Sequence, residues 1–274
     1  MKDRKRAVLR MILGTAWAVC VLCLQPGSLT AMAETAMAET APTGIAPAES
    51  GAGSIDGAGL RLWEAAQERQ RNLPELSASG EGSWSLEGGG LKLERPFSGR
   101  MTMTGLGTEQ MDGTITLISQ GEETEILFRD GGVTMKRGGE ETALTSDPRA
   151  WETVYREFAD WTTYDLSLVR RLWVSGHEED RADRSTVLSY ELDGAAAASG
   201  LEPAVKGWLE NLGIHISQDR GWLTLNQVEG ELTIDSAGYM MTDRLRAEAS
   251  IPLGQKTASW VFEISITYDP PAGR

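Results

Sequence analysis

The sequence predicts an α+β domain in which an antiparallel sheet of short strands, apolar on one side, is accompanied by about three helices. Three observations carry this. An amphipathic helical stretch, "LRLWEAAQERQRNL", opens the foldable region at Leu60. A long run of short segments with a two-residue period follows, broken by Gly-rich turns. Helical spacing then returns in mid-chain, before a last alternating set that ends in "ASWVFEISITYD". Consecutive short strands joined by tight turns make an antiparallel meander, and strands that are apolar on one side need cover on that side.

Residues 1–33 read as a secretory leader: basic "MKDRKR", an apolar run from Met11 to Leu24, then Ala31-Met32-Ala33. The apolar run falls short of the roughly 20 residues a membrane span needs, so no transmembrane segment is expected in the mature chain. Cleavage is expected after Ala33 or Ala38. Both cysteines, Cys20 and Cys23, fall in the leader behind Val19 and Leu22. A lipoprotein anchor needs small residues there. The mature chain therefore offers no disulfide and no thiol chemistry. The leader holds five basic residues and one acidic one, so the net charge of -14 becomes -18 in the mature chain. That acidity excludes general nucleic-acid binding, which needs a basic footprint. A secreted, extracytoplasmic protein of the cell envelope is expected.

Residues 34–59 are rich in Ala, Thr, Gly, Pro and Glu and almost devoid of large apolar side chains. Such a stretch reads as a flexible linker. A single domain is expected from 60 to 270. In its first helix Leu62, Trp63, Ala66 and Leu73 share one side, and Pro74 stops it. Trp84 and Leu86 then alternate with Ser83, Ser85 and Glu87 up to Gly88-Gly89-Gly90. The next strand runs from Leu91 to Met103 across Pro96, which marks an edge or a bulge. "DGTITLIS", "TEILFRD" and "GVTMKRGG" are further short strands.

Asp147-Pro148 opens a second helix with Trp151, Val154, Phe158 and Trp161 at helical spacing. Leu166, Val169, Leu172 and Trp173 suggest another short helix ending near Gly176. "HEEDRADR" reads as a solvated turn and "STVLSYEL" as a strand. A further helix places Leu201, Val205, Trp208 and Leu212 on one side, with Gly213 as its C-terminal stop. The hairpin Val228–Ile251 turns at Ser236-Ala237-Gly238. Its inward set is Val228, Gly230, Leu232, Ile234, Met241, Leu245, Ala247, Ala249 and Ile251, with Asp243 as an odd polar member. In the last strand Trp260, Phe262, Ile264, Ile266 and Tyr268 point one way.

Three stretches, "LWEAAQERQRNLPELSASGEGSWSL", "STVLSYELDG" and "GELTIDSAGYMMTDRLRAEA", carry a resemblance. Their order over residues 60–268 resembles the half-barrel of the LolA and LppX/LprG type of exported lipid and lipoprotein carriers. It also resembles uncharacterised secreted proteins of Gram-positive bacteria with that fold. The resemblance implies a sheet over helices with an apolar space that takes acyl chains, and it brings no catalytic motif. The lipobox of the membrane-anchored members is absent.

Motifs for chemistry are sparse. His177 and His215 are far apart, and "HEED" lacks the second histidine of a zinc helix. No Gly-x-Ser-x-Gly elbow or Ser-x-x-Lys pair frames a serine nucleophile. "GLGTEQ" lacks the third glycine of a dinucleotide loop. Glu122, Glu123 and Glu125, and Glu178, Glu179, Asp180 and Asp183, cluster in turns, where a carboxylate pair could serve hydrolysis or calcium but solvation is the simpler role. No metal, cofactor or catalytic residue is expected.

The leading expectation is a non-enzymatic protein that binds a lipid or lipoprotein acyl chain. The candidate apolar lining is Trp84, Met101, Met103, Leu232, Ile234, Met241, Leu245, Trp260, Phe262, Ile264 and Ile266. The methionines suit an adaptable lining and plain packing alike. A second reading is an envelope protein-interaction module with a solid core, and a third a carboxylate-dependent envelope hydrolase. The hairpin's charges, Glu229, Glu231, Arg244, Arg246 and Glu248, are expected on the solvated face, away from any function.

Overall fold

The computed structural model describes residues 54–271, apart from 107, 109, 146–165, 179–184, 212, 217, 219–220 and 254–255. The chain enters through α1 (Gly57–Arg71), which begins just before Leu60 because Asp56 caps it: its Oδ1 accepts the Ala58 N–H at 2.8 Å. Trp63, Ala66 and Gln70 are on its buried side. Ahead of the cap, Ile55 forms a parallel bridge to Leu172.

Six strands follow: β1 (Glu75–Gly88), β2 (Leu91–Thr104), β3 (Asp112–Ser119), β4 (Glu122–Arg129), β5 (Gly132–Arg137) and β6 (Glu140–Thr145). Four of their connections are two-residue hairpins. At Gln120-Gly121 and Asp130-Gly131 both residues take positive φ, as the twist-matched primed turns require. Pro96 does not break β2. β3 pairs only with Phe97–Thr104, so Pro96 lies where that side of β2 has no partner strand and its missing N–H costs nothing. The strand β6 is an addition to the sequence reading.

A 3₁₀ turn (Leu166–Leu168) leads into β7 (Val169–Glu178) and β8 (Ser185–Leu192). The short helix expected over Leu166–Gly176 is therefore a strand. Leu172 is buried while Trp173 and Val174 are exposed, and Arg171 pairs across the ladder with Glu191 at 2.8 Å. Then come α2 (Gly194–Asn211), β9 (Thr224–Ile234), β10 (Met240–Leu253) and β11 (Lys256–Tyr268). Asp193 caps α2 through the Ala195 and Ala196 N–H groups, and Gly213 ends it at φ 75°. The expected helix from Asp147 to Trp161 lies outside the described residues, and so does most of the "HEEDRADR" turn. Two α-helices are described, where about three were expected.

All eleven strands form one open antiparallel sheet in the order β6-β5-β4-β3-β2-β1-β11-β10-β9-β8-β7. The first half is a meander that runs outward from the centre, the second runs inward from the far edge, and the central ladder joins the first strand to the last over Ala78–Gly88 and Ala258–Tyr268. One face is apolar throughout. α1 packs there through Trp63, whose ring lies 4.7 Å from that of Tyr190, and α2 packs against β9. Phe262 stacks between Phe97 and Trp260 with centroids 5.8 and 5.9 Å apart. Burying side chains of this size stabilises the fold by about 1.5–3 kcal/mol each.

Candidate functional site

Ten of the eleven predicted lining residues lie on this apolar face and are buried. The structure thus brings together Trp84, Met101, Met103, Leu232, Ile234, Leu245, Trp260, Phe262, Ile264 and Ile266, packed against one another and the helices. Met241 is set apart. A register shift between Met240 and Thr242 gives the buried position to Met240 and leaves Met241 half-buried at the end of the sheet. Asp243, the odd polar member, is 1 % exposed and accepts the Tyr190 hydroxyl at 3.0 Å. A buried carboxylate needs such a donor.

A groove of about 1000 Å³ lies on the other face, away from α1 and α2. Its floor follows from strand register. Ile118 of β3 is opposite Ser98, which is opposite Glu81 and then Ser265. The row continues through Arg244, Glu231 and Ser189 to Trp173 of β7. All eight of these residues line the groove. The row crosses eight strands, which a flat sheet would spread over about 34 Å at 4.8 Å per step. Curvature of the sheet turns this row into a trough.

The ends of the row are apolar and open to solvent: Ile118 is 42 % and Trp173 41 % exposed. The Arg171 guanidinium sits over the Trp173 ring at 5.7 Å. Between the ends the floor is charged. A neighbouring row runs Ser83, Glu263, Arg246, Glu229. Arg246 bonds to Glu263, and to Glu248 at 2.7 Å, which holds its guanidinium above the usual range, the Glu248 bond contributing most. Arg244 and Arg246 share the trough with Glu81, Glu229, Glu231 and Glu263. The floor therefore presents both signs of charge with a carboxylate excess.

The sequence reading put these hairpin charges on the solvated face, and they are there. Four of them, Glu229, Glu231, Arg244 and Arg246, floor the groove. Ile118 and Trp173 were not singled out as groove residues. Their signal was an apolar side chain on the polar side of its strand, which only the register turns into a matched pair.

The acidic run Glu122–Glu125 is an ion-pair ladder. Arg137 donates to both Glu122 oxygens at 2.6 Å, and this bond is the main cause that lowers the Glu122 carboxyl below its ordinary value. Among the described residues no group of three or more His, Cys, Asp and Glu is placed to hold a metal ion. Among them, too, no helix is long and apolar enough to cross a membrane.

No family model and no curated protein matches the chain. Among solved structures it is similar to the lipoprotein LppX of Mycobacterium tuberculosis, at 13% identity and TM-score 0.43, over 78% of this chain and 94% of that one. It is similar to LprF from Mycobacterium bovis, at 12% identity and TM-score 0.43, over 81% and 96%. A LolA superfamily protein from Nitrosomonas europaea follows at 8% identity and TM-score 0.24, over 78% and 94%.

Proposed function

We propose that the protein is an exported, non-catalytic binding protein of the cell envelope whose ligand is an extended amphiphile, a lipid or an acylated lipoprotein segment. The leader supports export. The observation that carries the ligand class is the single cross-strand row from Ile118 to Trp173, apolar at both ends and charged between. Its trough of about 1000 Å³ is at the upper end of ordinary small-ligand sites. An acyl chain gains by covering the exposed apolar ends, and a zwitterionic or hydroxylated head group suits the mixed charges of the floor.

The mature protein, delipidated and then titrated with a fluorescent fatty acid and a lysophospholipid analogue, tests the reading. Saturable uptake is expected, and it is lost in the double variant Ile118→Asp/Trp173→Ala while the melting temperature holds. Absence of saturable uptake sinks the proposal. Unchanged uptake in the double variant moves the ligand to the apolar face instead.

A second reading, an envelope protein-interaction module, has one specific support. The apolar face is buried at ten of the eleven candidate positions, which favours a protein partner meeting the sheet from outside. Capture of an acyl ligand by the purified chain alone would count against it.

A further inference from the structure

The middle of the trough differs from the face around it. Arg244 on β10 lies in register between Glu231 on β9 and Ser265 on β11, and Ser265 is in turn opposite Glu81 on β1. All four line the groove. Among the described residues, the side chains of Arg244, Glu231 and Glu81 have no hydrogen bond and no ion pair. The charges around them are engaged. Arg246 is bound to Glu263 and, at 2.7 Å, to Glu248. Gln227 donates to Glu229 at 2.8 Å, and Arg171 holds Glu191 at 2.8 Å.

We infer that the polar group of the amphiphile is a zwitterion, a phosphate ester carrying an ammonium group, with its phosphate on Arg244 and its ammonium against Glu231. This rests on the reading of the trough as an amphiphile site and narrows its ligand class.

Each charge disfavours a simpler ligand. A plain anion on Arg244 would meet Glu231 one strand away, about 4.8 Å, and Glu81 two strands away on the other side. A plain cation on Glu231 would meet Arg244. A neutral polyol would leave all three charges uncompensated where the acyl chains exclude water. Phosphate matches a guanidinium in charge and in paired hydrogen-bond geometry, and the Ser265 hydroxyl beside Arg244 is a further donor for a phosphate oxygen. Keeping Arg244 and Glu231 apart costs the free chain little, because exposed ion pairs contribute little. A ligand with both charges therefore finds both groups without having to break a pair.

Position along the row supports the assignment. Arg244 stands four strand steps from Ile118 and three from Trp173, about 19 and 14 Å at 4.8 Å per step. A head group seated there has an apolar end of the trough in either direction, which suits a lipid with two chains.

Calorimetric titration of the delipidated mature chain compares four dihexanoyl amphiphiles that differ in their polar group: phosphatidylcholine, phosphatidic acid, trimethylammonium propane and uncharged glycerol. Phosphatidylcholine is expected to bind about tenfold or more tightly than each of the others. Arg244→Gln is expected to erase that preference and Arg244→Lys to keep part of it. Arg100→Gln, at an exposed arginine of β2 outside the groove, is expected to keep all of it. Phosphocholine without chains separates two sources of the same chemistry: affinity equal to that of the lipid assigns the zwitterion to a free solute, and weaker affinity assigns it to a lipid head group. The inference is overturned if dihexanoylglycerol or the phosphatidic acid binds as tightly as phosphatidylcholine, or if Arg244→Gln keeps the preference. Equal uptake of all four leaves the trough an amphiphile site and removes only the head-group assignment, whereas no uptake of any removes both.

Discussion

The hydroxyl of Tyr190 on β8 donates to the carboxylate of Asp243 on β10 at 3.0 Å, across the Gly230 position of β9 that separates them. Gly230 makes this possible. A Cβ there would fall inside the Tyr190 ring and against the Arg244 carbonyl. A tyrosine, an aspartate and a glycine on three adjacent strands thus form one buried unit under the Trp63 ring.

Removing the hydroxyl tests that unit. A hydrogen bond to a charged group contributes about 1.5–3 kcal/mol, so Tyr190→Phe is expected to destabilise the fold by that amount. The measurement is urea unfolding followed by tryptophan fluorescence. A midpoint equal to that of the native chain would show that the bond carries no stability.

Glycine substitutions should separate close approach from mere turn chemistry. Gly230→Ala and Gly82→Ala place a methyl against backbone carbonyls and aromatic rings, of Tyr190 and Phe97 respectively. Both are expected to cost about 1–3 kcal/mol or more. Gly176→Ala in β7 meets open space and should stay within about 0.5 kcal/mol. Melting temperatures of the three variants give the ranking directly.

Alkaline stability should report on Tyr268. Burial, first, and the Asp243 carboxylate, second, push its phenol well above the ordinary value, with Gln70 pulling slightly the other way. The unfolded chain therefore loses this proton at lower pH than the folded one. The stability contribution is full below the ordinary tyrosine value of about 10 and declines as pH rises past it. Tyr268→Phe should flatten that decline in unfolding experiments run from pH 9 to 11. An unchanged alkaline limb would assign the loss to other groups.

The cap of α1 is a smaller, local effect. Asp56→Ala removes the acceptor of the Ala58 N–H and is expected to cost about 1 kcal/mol, with Asp56→Asn recovering most of it. Because the Asp56 N–H also donates to the Leu172 carbonyl on β7 at 2.9 Å, hydrogen exchange should quicken at the start of α1 and at Leu172 together. Faster exchange at the helix alone would mean that the two are not coupled.

Much of the fold was legible because alternation and turn chemistry are local. The strands from Gly80 to Arg137 and from Val228 to Tyr268, the Gly213 stop of α2 and the hairpin at Ser236-Ala237-Gly238 all rest on patterns a few residues long. The segment Leu166–Gly176 was misread for the same reason. Its apolar residues fit a helix and a strand equally well, and cross-strand pairing with Ser185–Leu192 decided for the strand. The candidate site was less legible. Alternation tells which face Glu231 or Trp173 is on, but not which residues of distant strands fall into one row, nor which way the sheet bends. Ile118 and Trp173 are 55 positions apart in the chain and fall into one row through seven successive registers. Met241 was displaced by a single bulge, and no pattern in "GYMMTD" distinguishes Met240 from Met241 in advance.

The central ladder between the first and last strands has a consequence for biogenesis. Each meander can zip up as it emerges, yet the two half-sheets become one ladder through the final strand, Lys256–Tyr268. Contacts so distant in sequence make folding slow. A chain emerging from its N-terminus therefore stays unfinished until almost its last residue has been made. A stop codon before Lys256 would yield two unjoined half-sheets with exposed edges, a product prone to pair with other chains.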